Sequence, residues 1–276
     1  MSTTCEQANP TGHGYRCLVS MKVFALVPVV SVLDGKAALP AGPGWEPEPV
    51  LASPAVAARA WYDQGARRIQ VVDSQVVDAN SPNTAAITHL VHELHGQAWV
   101  DLVSGVHDDL SLRAALHIGP TQVVLSAAAV ADHDFVRRAV EHHGDRVTAR
   151  MVIGNGGLIH APGTAADGLR VLDVLGDLEA IGVQRYLVND ATRHGHWWQS
   201  HQDVLAEFVR TTDRPVTAGS GVDSLEHLHE LCDLVPFGLD SAVIGHALDA
   251  GVFTFADALA AIAARYDPYE WGPAQP

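Results

Sequence analysis

The residues best suited to proton transfer lie in one short segment. Asp190 is followed closely by His194 and His196, and then by Trp197 and Trp198. Histidine titrates near neutral pH, and a nearby carboxylate can fix which ring nitrogen carries the proton. The tryptophans could exclude water from such a pair, or they could simply pack beneath the loop. We therefore treat Asp190, His194 and His196 as candidate acid/base residues, with helix capping or loop hydrogen bonding as the alternative.

A second group of small residues would let a backbone approach an anion. Gly219-Ser220-Gly221 and Gly245-His246 each follow a short β-rich run near the end of the chain. Glycine has no side chain to block an oxyanion, and backbone N–H groups bind phosphate without net positive charge. Ser104-Gly105 and Ser126 form a weaker set of the same kind. These residues predict a phosphate site, and an ordinary strand-to-helix turn is the alternative.

The elements that must position these residues follow a repeating order. Short β-rich runs alternate with amphipathic helical patterns such as those at 55–64, 135–141, 169–180 and 225–231. The eight predicted strands are Val23–Val30, Arg68–Asp73, Ala98–Val103, Gln122–Ser126, Val147–Ile153, Arg185–Asp190, Pro215–Ala218 and Ser241–Gly245. Eight uninterrupted strand–helix units predict an α/β fold, a closed (β/α)₈ barrel, rather than an open doubly wound sheet. The loops after the strands of such a barrel converge on one face, which would bring the candidate residues together.

An internal repeat supports a barrel made of two halves. The segment from Val100 to Val106 resembles the segment from Val216 to Val222, and each precedes a leucine-containing helical pattern. A strand ending in a small residue, Ser126 or Gly245, then follows in each half. This spacing predicts two half-barrels of four units each.

The composition fits one large domain and excludes several classes of function. The chain has 276 residues, 47% of them hydrophobic, and a formal net charge of −15. Single α/β barrels commonly have about 250 residues. The chain lacks the basic stripe of a nucleic-acid-binding protein and any apolar run near the roughly 20 residues of a membrane span. We therefore expect neither nucleic acid nor membrane among its partners.

Both ends of the chain are expected to lie outside the barrel. Residues 1–20 are polar and lack the apolar segment of a signal peptide, so a disordered extension or a mis-set start is predicted there. The barrel is then expected over residues 21–267, with a tail at 268–276. Cys5, Cys17 and Cys232 show neither metal-ligand spacing nor a disulfide pattern, which favours the cytoplasm.

Several motifs in register over the eight units resemble one known family. They include Leu33-Asp34-Gly35-Lys36, Val71-Val72-Asp73, Ser104-Gly105-Val106, Ser220-Gly221-Val222-Asp223-Ser224-Leu225 and Val243-Ile244-Gly245-His246-Ala247-Leu248. Such motifs are typical of the phosphoribosyl isomerases of histidine biosynthesis, the phosphoribosylformimino-AICAR isomerases. Within that family the chain most resembles the bifunctional histidine/tryptophan isomerases of actinobacteria. The resemblance covers about 24–266 and implies a phosphorylated substrate.

The resemblance also implies an Amadori rearrangement of an N-linked aminoaldose phosphate. That reaction needs a general acid to open the ribose ring and a general base to take the C2 proton. The family supplies two aspartates, at the ends of the first and fifth barrel strands. Matching 28–32 and 149–153 to those motifs puts Ser31 and Val152 at the two aspartate positions. Neither side chain can shuttle a proton near neutral pH.

Other positions singled out by the resemblance have changed as well. The arginine expected after the Asp-Gly motif is Leu39, and the Arg-Gly-Trp of the fifth loop falls at about Ala161-Pro162-Gly163. The threonine of the sixth strand is Asn189, and the Lys-Asp-Gly-Thr after it is replaced by Arg193-His194-Gly195-His196. These changes predict a conserved scaffold that has lost the ancestral isomerisation.

Further polar residues complete the predicted pocket. Asp73, Asp101 and Asn189 are expected at the ends of strands, and His107 and His246 just past the ends of two further strands. The other residues expected to line the pocket are Ser31, Val152, Trp197 and Trp198. The 16 histidines include no set with a clear metal-ligand arrangement, so neither a metal nor another cofactor is expected.

Two hypotheses about function remain open. In the first, the chain is an enzyme of specialised metabolism that performs an isomerisation, cyclisation or elimination on a phosphorylated or ring-bearing small molecule. In the second, it is a non-catalytic relative that binds a small ligand or a partner enzyme. An acid/base pair buried against the loop after the sixth strand would favour the first, and histidines directed to bulk water would favour the second.

Overall fold

The parallel strands close into a barrel. The computed structural model describes residues 24–38, 52–75, 81–191 and 202–265. The strands are β1 (Ala25–Leu33), β2 (Lys36–Ala38), β3 (Arg68–Asp73), β4 (Trp99–Val106), β5 (Gln122–Leu125), β6 (Val147–Ile153), β7 (Tyr186–Asp190), β8 (Val216–Ala218) and β9 (Leu239–Ile244). All except β2 run parallel to their neighbours, and β9 pairs with β1. This closure confirms the predicted (β/α)₈ barrel and rules out the open sheet.

The helices cover the outside of the barrel. Within the described ranges they are α1 (Pro54–Asp63), α2 (Thr84–Glu93), α3 (Asp109–Ile118), α4 (His133–His143), α5 (Val171–Ile181), α6 (Gln202–Thr211), α7 (Leu225–Cys232), α8 (His246–Asp249) and α9 (Phe255–Ala263). Buried side chains such as Phe135, Leu175 and Phe208 join them to the strands. No helix in these ranges has the length and apolarity to cross a bilayer.

Side chains alternate between two faces along each strand, which sets what can reach the lumen. On β6, Ala149, Met151 and Ile153 belong to the layer between strands and helices. The intervening side chains of β6 therefore point inward. A separate inner cluster, formed by Val27, Val124, Leu187 and Val243, fills the middle of the barrel. Residues inside the barrel can thus be identified by their strand register.

Among the boundaries that differ from the sequence expectation, two have clear structural reasons. β1 continues beyond Val30 to Leu33, because it pairs with β3 and folds back onto the unpredicted strand β2. The connecting Asp34-Gly35 has φ of 50° and 70°, the left-handed conformation that a two-residue hairpin requires. α5 begins at Val171 rather than Leu169, because Arg170 forms an antiparallel bridge with Leu158.

The predicted half-barrel repeat extends to backbone conformation. Gly105 and Gly221 occupy equivalent places in the two segments, and both have positive φ, 66° and 87°. Asp108 and Ser224, which are also equivalent, cap the N-termini of α3 and α7 through their side chains. The same turn chemistry therefore links strand to helix in both halves.

Candidate functional site

The carboxyl ends of the strands surround one mouth of the barrel, the face at which enzymes with this fold have their active sites. Ser31 lies on the inner face of β1 beside Val72, and Val152 lies on the inner face of β6 beside Asn189. Ser31 is only 4% exposed. Three predicted pocket residues, Ser31, Val152 and Asn189, therefore share the upper part of the lumen.

A chain of polar contacts crosses three neighbouring strands at this mouth. The Nε of Arg150 donates to Oδ1 of Asn189 at 3.0 Å, and Nδ2 of Asn189 donates to the carbonyl oxygen of Gly219 at 2.9 Å. A Cβ on residue 219 would lie 2.6 Å from Asn189 Nδ2, so glycine is needed here for close approach. The side-chain amide of Asn189 thus has a fixed orientation between Arg150 and the loop after β8.

Arg150 is the site residue that sequence reasoning missed. It shares the inner face of β6 with Thr148 and Val152, in a strand that is otherwise mainly apolar. Burial lowers the pKa of Arg150 from its ordinary value, and no carboxylate in the described ranges raises it again. The guanidinium nevertheless stays protonated at any physiological pH. An arginine at an inward position of a buried strand was the available signal.

The loop after β8 carries backbone donors without acceptors. The N–H of Gly219 donates to the carbonyl of Val188, but those of Ser220, Gly221 and Val222 donate to no acceptor among the described residues. Gly221 takes the left-handed conformation, φ 87°, which turns the chain within this run. Consecutive N–H groups around a left-handed residue form a concavity suited to an anion. The chemistry predicted for Gly219-Ser220-Gly221 is therefore available there.

The remaining predicted phosphate residues have mixed surroundings. Gly245 directly precedes α8, and His246 is exposed at its first position. In the other half, the N–H of Ala129 donates to the hydroxyl of Ser126 at 3.2 Å. Ser104 and Gly105 lie within β4, where the pairing with β5 shifts register between Val103 and Val106. The N-terminal half of the barrel thus repeats the turn of the C-terminal half, but its Ser126 accepts a local backbone hydrogen bond.

Two of the predicted aspartates have structural surroundings. Oδ1 of Asp73 accepts from the backbone N–H of Gln75 and from Nδ2 of the fully buried Asn83, which also binds the end of β1. Asp101 is the third residue of β4, so the expectation that it lies at a strand end facing the mouth is wrong. Its Oδ2 accepts from Nε of Arg68 at 2.6 Å near the amino ends of the strands. Burying a carboxylate requires such a partner.

The segment around Asp190 is described only in part. Asp190 is 8% exposed and follows Asn189, so alternation puts it on the outer face of β7 and not in the lumen. Its backbone N–H donates to the hydroxyl of Ser220 at 3.1 Å. His194, His196, Trp197 and Trp198 lie outside the described residues. The strand therefore directs Asn189 inward, where the sequence analysis gave the main role to Asp190.

His107, which the sequence places just past a strand end, follows β4 and is exposed, with a local partner. Nδ1 of His107 lies 2.9 Å from the carbonyl oxygen of Gly105. Among the residues that the structure describes, no three His, Cys, Asp or Glu side chains are grouped to hold a metal ion. The chemistry of the described mouth is thus that of a cation, amides and hydroxyls.

Comparisons with known proteins agree on one family. The family model described as histidine biosynthesis protein matches residues 25–254. The 1-(5-phosphoribosyl)-5-((5-phosphoribosylamino)methylideneamino)imidazole-4-carboxamide isomerase of Renibacterium salmoninarum is 36% identical over 237 residues, which cover 86% of this chain and 96% of that protein. Isomerases of the same name from Bifidobacterium animalis subsp. lactis and Nocardia farcinica are 34% and 35% identical, covering 86% and 87% of this chain and 98% and 99% of their own lengths. The chain therefore belongs to the histidine biosynthesis protein family.

Proposed function

We propose that this chain is a diverged isomerase-like enzyme that binds a phosphorylated small molecule and no longer catalyses the Amadori rearrangement. One observation carries the proposal: the inner residues at the ends of β1 and β6 are Ser31 and Val152. Within the described lumen the only carboxylate is Asp101, which is bound to Arg68 near the other end of the barrel. A rearrangement that needs both an acid and a base has neither at those two strand ends.

Phosphate recognition is the part of the ancestral function that we propose is kept. The N–H groups of Ser220, Gly221 and Val222 support this, because they have no acceptor in the described part of the chain. The site would be completed by Gly245 and His246 from the neighbouring strand, and by Ser104, Gly105 and Ser126 in the other half. We propose that the protein acts in the cytoplasm on a small-molecule substrate and needs no cofactor.

The acid/base residues of the new reaction are proposed to lie in the loop after β7. Asp190 ends β7 directly before this loop, and we propose that its carboxylate orients the titratable rings of His194 and His196, with Trp197 and Trp198 limiting access of water. The reaction class is an isomerisation, cyclisation or elimination. Replacing His194 or His196 by alanine should then abolish turnover of the substrate, once native mass spectrometry of the purified protein has identified it.

One observation favours the alternative, a non-catalytic binding protein. The described groups at the mouth, Arg150, Asn189 and backbone N–H groups, bind anions but do not transfer protons near neutral pH. If both histidine variants fold normally and retain full activity, the loop after β7 is structural. If no co-purified molecule is ever turned over, the binding function is the better description.

The proposed loss of activity is tested by direct assay. Purified protein should show only background turnover of the phosphoribosyl aminoaldoses of the histidine and tryptophan pathways, because losing one acid/base group costs about 10²–10⁴ in rate and two are missing. The isomerase from Nocardia farcinica, assayed in parallel, is the positive control for the histidine-pathway substrate that its name gives. A rate comparable with that control would overturn the proposal.

A reversal experiment sharpens the same prediction. The double variant Ser31→Asp with Val152→Asp restores two carboxylates to the inner face of β1 and β6. We expect at most partial recovery of isomerisation, because Leu39 still replaces the arginine implied by the family resemblance. Full recovery would show that the replaced substrate-binding residues are not needed for isomerisation.

A further inference from the structure

Arg150 is the one uncompensated charge in the described lumen. Strand register gives Arg68, Asp101 and Arg150 as the charged side chains on the inner faces of the described strands. Arg68 and Asp101 bind each other at 2.6 Å, and Asp240 lies 3.7 Å from Arg68. No described carboxylate lies within ion-pair distance of Arg150, in a chain whose formal net charge is −15.

Most of the donors of Arg150 are unused. Its Nε donates to Asn189, while Nη1 and Nη2 donate to no acceptor among residues 24–38, 52–75, 81–191 and 202–265. A guanidinium has five N–H groups and accepts nothing, so an external oxygen acceptor is the group that satisfies the other four. The terminal edge of the fork is therefore available for a ligand.

The guanidinium is also held in place before any ligand binds. Asn189 receives the Nε–H and is itself fixed by the carbonyl of Gly219, and Leu187 lies beside Arg150 on the adjacent strand. Leu187 belongs to the apolar cluster in the middle of the barrel. A preoriented cation above an apolar layer binds an anion more strongly than the same cation in water.

We infer that Arg150 binds a carboxylate group of the ligand end-on, through Nη1 and Nη2, while the loop after β8 holds its phosphate. The inference rests on the proposed function in taking the barrel mouth as the ligand site. The interior of an eight-stranded barrel is only wide enough for side chains or one small group, which favours a flat carboxylate at this depth. A carboxylate also matches the planar fork of arginine. The substrate class is thus a small phosphorylated carboxylic acid.

The test follows the arginine side chains of the intact protein by NMR. Protein labelled uniformly with ¹⁵N is titrated with acetate and, separately, with inorganic phosphate at constant ionic strength. Acetate should shift the Nε–H signal of Arg150 saturably and leave that of Arg68 unchanged, because Arg68 already has carboxylate partners. Phosphate should instead shift the backbone N–H signals of Ser220, Gly221 and Val222.

Three variants make the result specific. Arg150→Met assigns the Arg150 signal by removing it. Followed instead through the side-chain amide signals of Asn189, acetate binding to this variant should be weaker by about 10–100-fold, the loss expected for hydrogen bonds to a charged group. Arg138→Met is the matched control, because Arg138 is an exposed arginine paired with Asp109, and it should leave acetate binding unchanged. Arg150→Lys keeps the positive charge but lacks the planar pair of terminal nitrogens. It takes the place of Arg150→Met in this test if the methionine variant does not fold.

The outcomes separate this inference from the proposed function. An Arg150 signal that ignores acetate, or that responds to phosphate alone, overturns the carboxylate assignment. If the 220–222 amides still respond to phosphate in that case, phosphate binding in the proposed function stands. If Arg150 responds to acetate while those amides ignore phosphate, the carboxylate site is supported and the proposed phosphate site is wrong.

Discussion

Arg68 and Arg150 both lie on the inner face of the barrel, one toward each end. Arg68, near the amino ends of the strands, donates to Asp101 at 2.6 Å and to the hydroxyl of Ser241 at 2.9 Å, with Asp240 nearby. Arg150, toward the carboxyl ends, donates to one neutral amide within the ranges that the structure describes. The same residue type is therefore surrounded by partners at one end and left with open donors at the other.

Their electrostatics differ in the same sense. Burial on its own would lower the pKa of Arg68, but the carboxylates of Asp101 and Asp240 outweigh it, so that pKa rises. Burial lowers the pKa of Arg150, and no carboxylate among the described residues opposes this shift. Barrels of this type commonly keep stabilising residues at the amino face and functional residues at the carboxyl face. The difference shows that the role of a buried charged residue, structural or functional, is indicated by the partners of its charge and not by the extent of its burial.

The largest expected effect is at the amino end. Arg68→Met should lower the free energy of unfolding by about 3–5 kcal/mol, because it leaves the buried carboxylate of Asp101 without its cation. Urea denaturation measures the loss. Adding Asp101→Leu to the variant should restore much of the stability, since an apolar pair can replace a buried ion pair. A single variant as stable as the wild type would contradict a stabilising role for this network.

A smaller effect is expected where Asn189 touches the loop after β8. Gly219→Ala should lower the free energy of unfolding by about 1–3 kcal/mol, because the new Cβ would lie 2.6 Å from Asn189 Nδ2 and force the amide away. Gly176→Ala in α5 is a matched control, because a Cβ at this position has no described atom within 4 Å. It should raise the free energy of unfolding by about 0.5–1 kcal/mol, the usual gain for alanine over glycine inside a helix. Equal effects of the two substitutions in thermal denaturation would show that the close approach to Asn189 is unimportant.

The sequence predicted the fold better than it predicted the site. Alternating strand and helix patterns are local, so the eight parallel strands could be recognised along the chain. The roles of Asp101 and Asp190 depended on which face of a strand each side chain occupies and on how far along the strand it lies. Arg150 was missed because its importance comes from the described residues around it, which are an apolar layer and one amide, with no carboxylate among them. Such surroundings arise only when distant strands meet, so motif spacing does not show them.

The smallest expected effect has the opposite sign and separates the two arginines most directly. Arg150→Met should raise the free energy of unfolding by about 0.5–2 kcal/mol, a typical gain when a residue kept for function is replaced. The physical reason is that the variant no longer desolvates a guanidinium to which the described part of the barrel supplies one hydrogen bond. Arg150→Lys keeps a buried cation and should show no gain. Both variants are compared with the wild type by urea denaturation without added ligand. A loss as large as that of Arg68→Met would mean that Arg150 stabilises the fold, and the contrast between the two ends of the barrel would disappear.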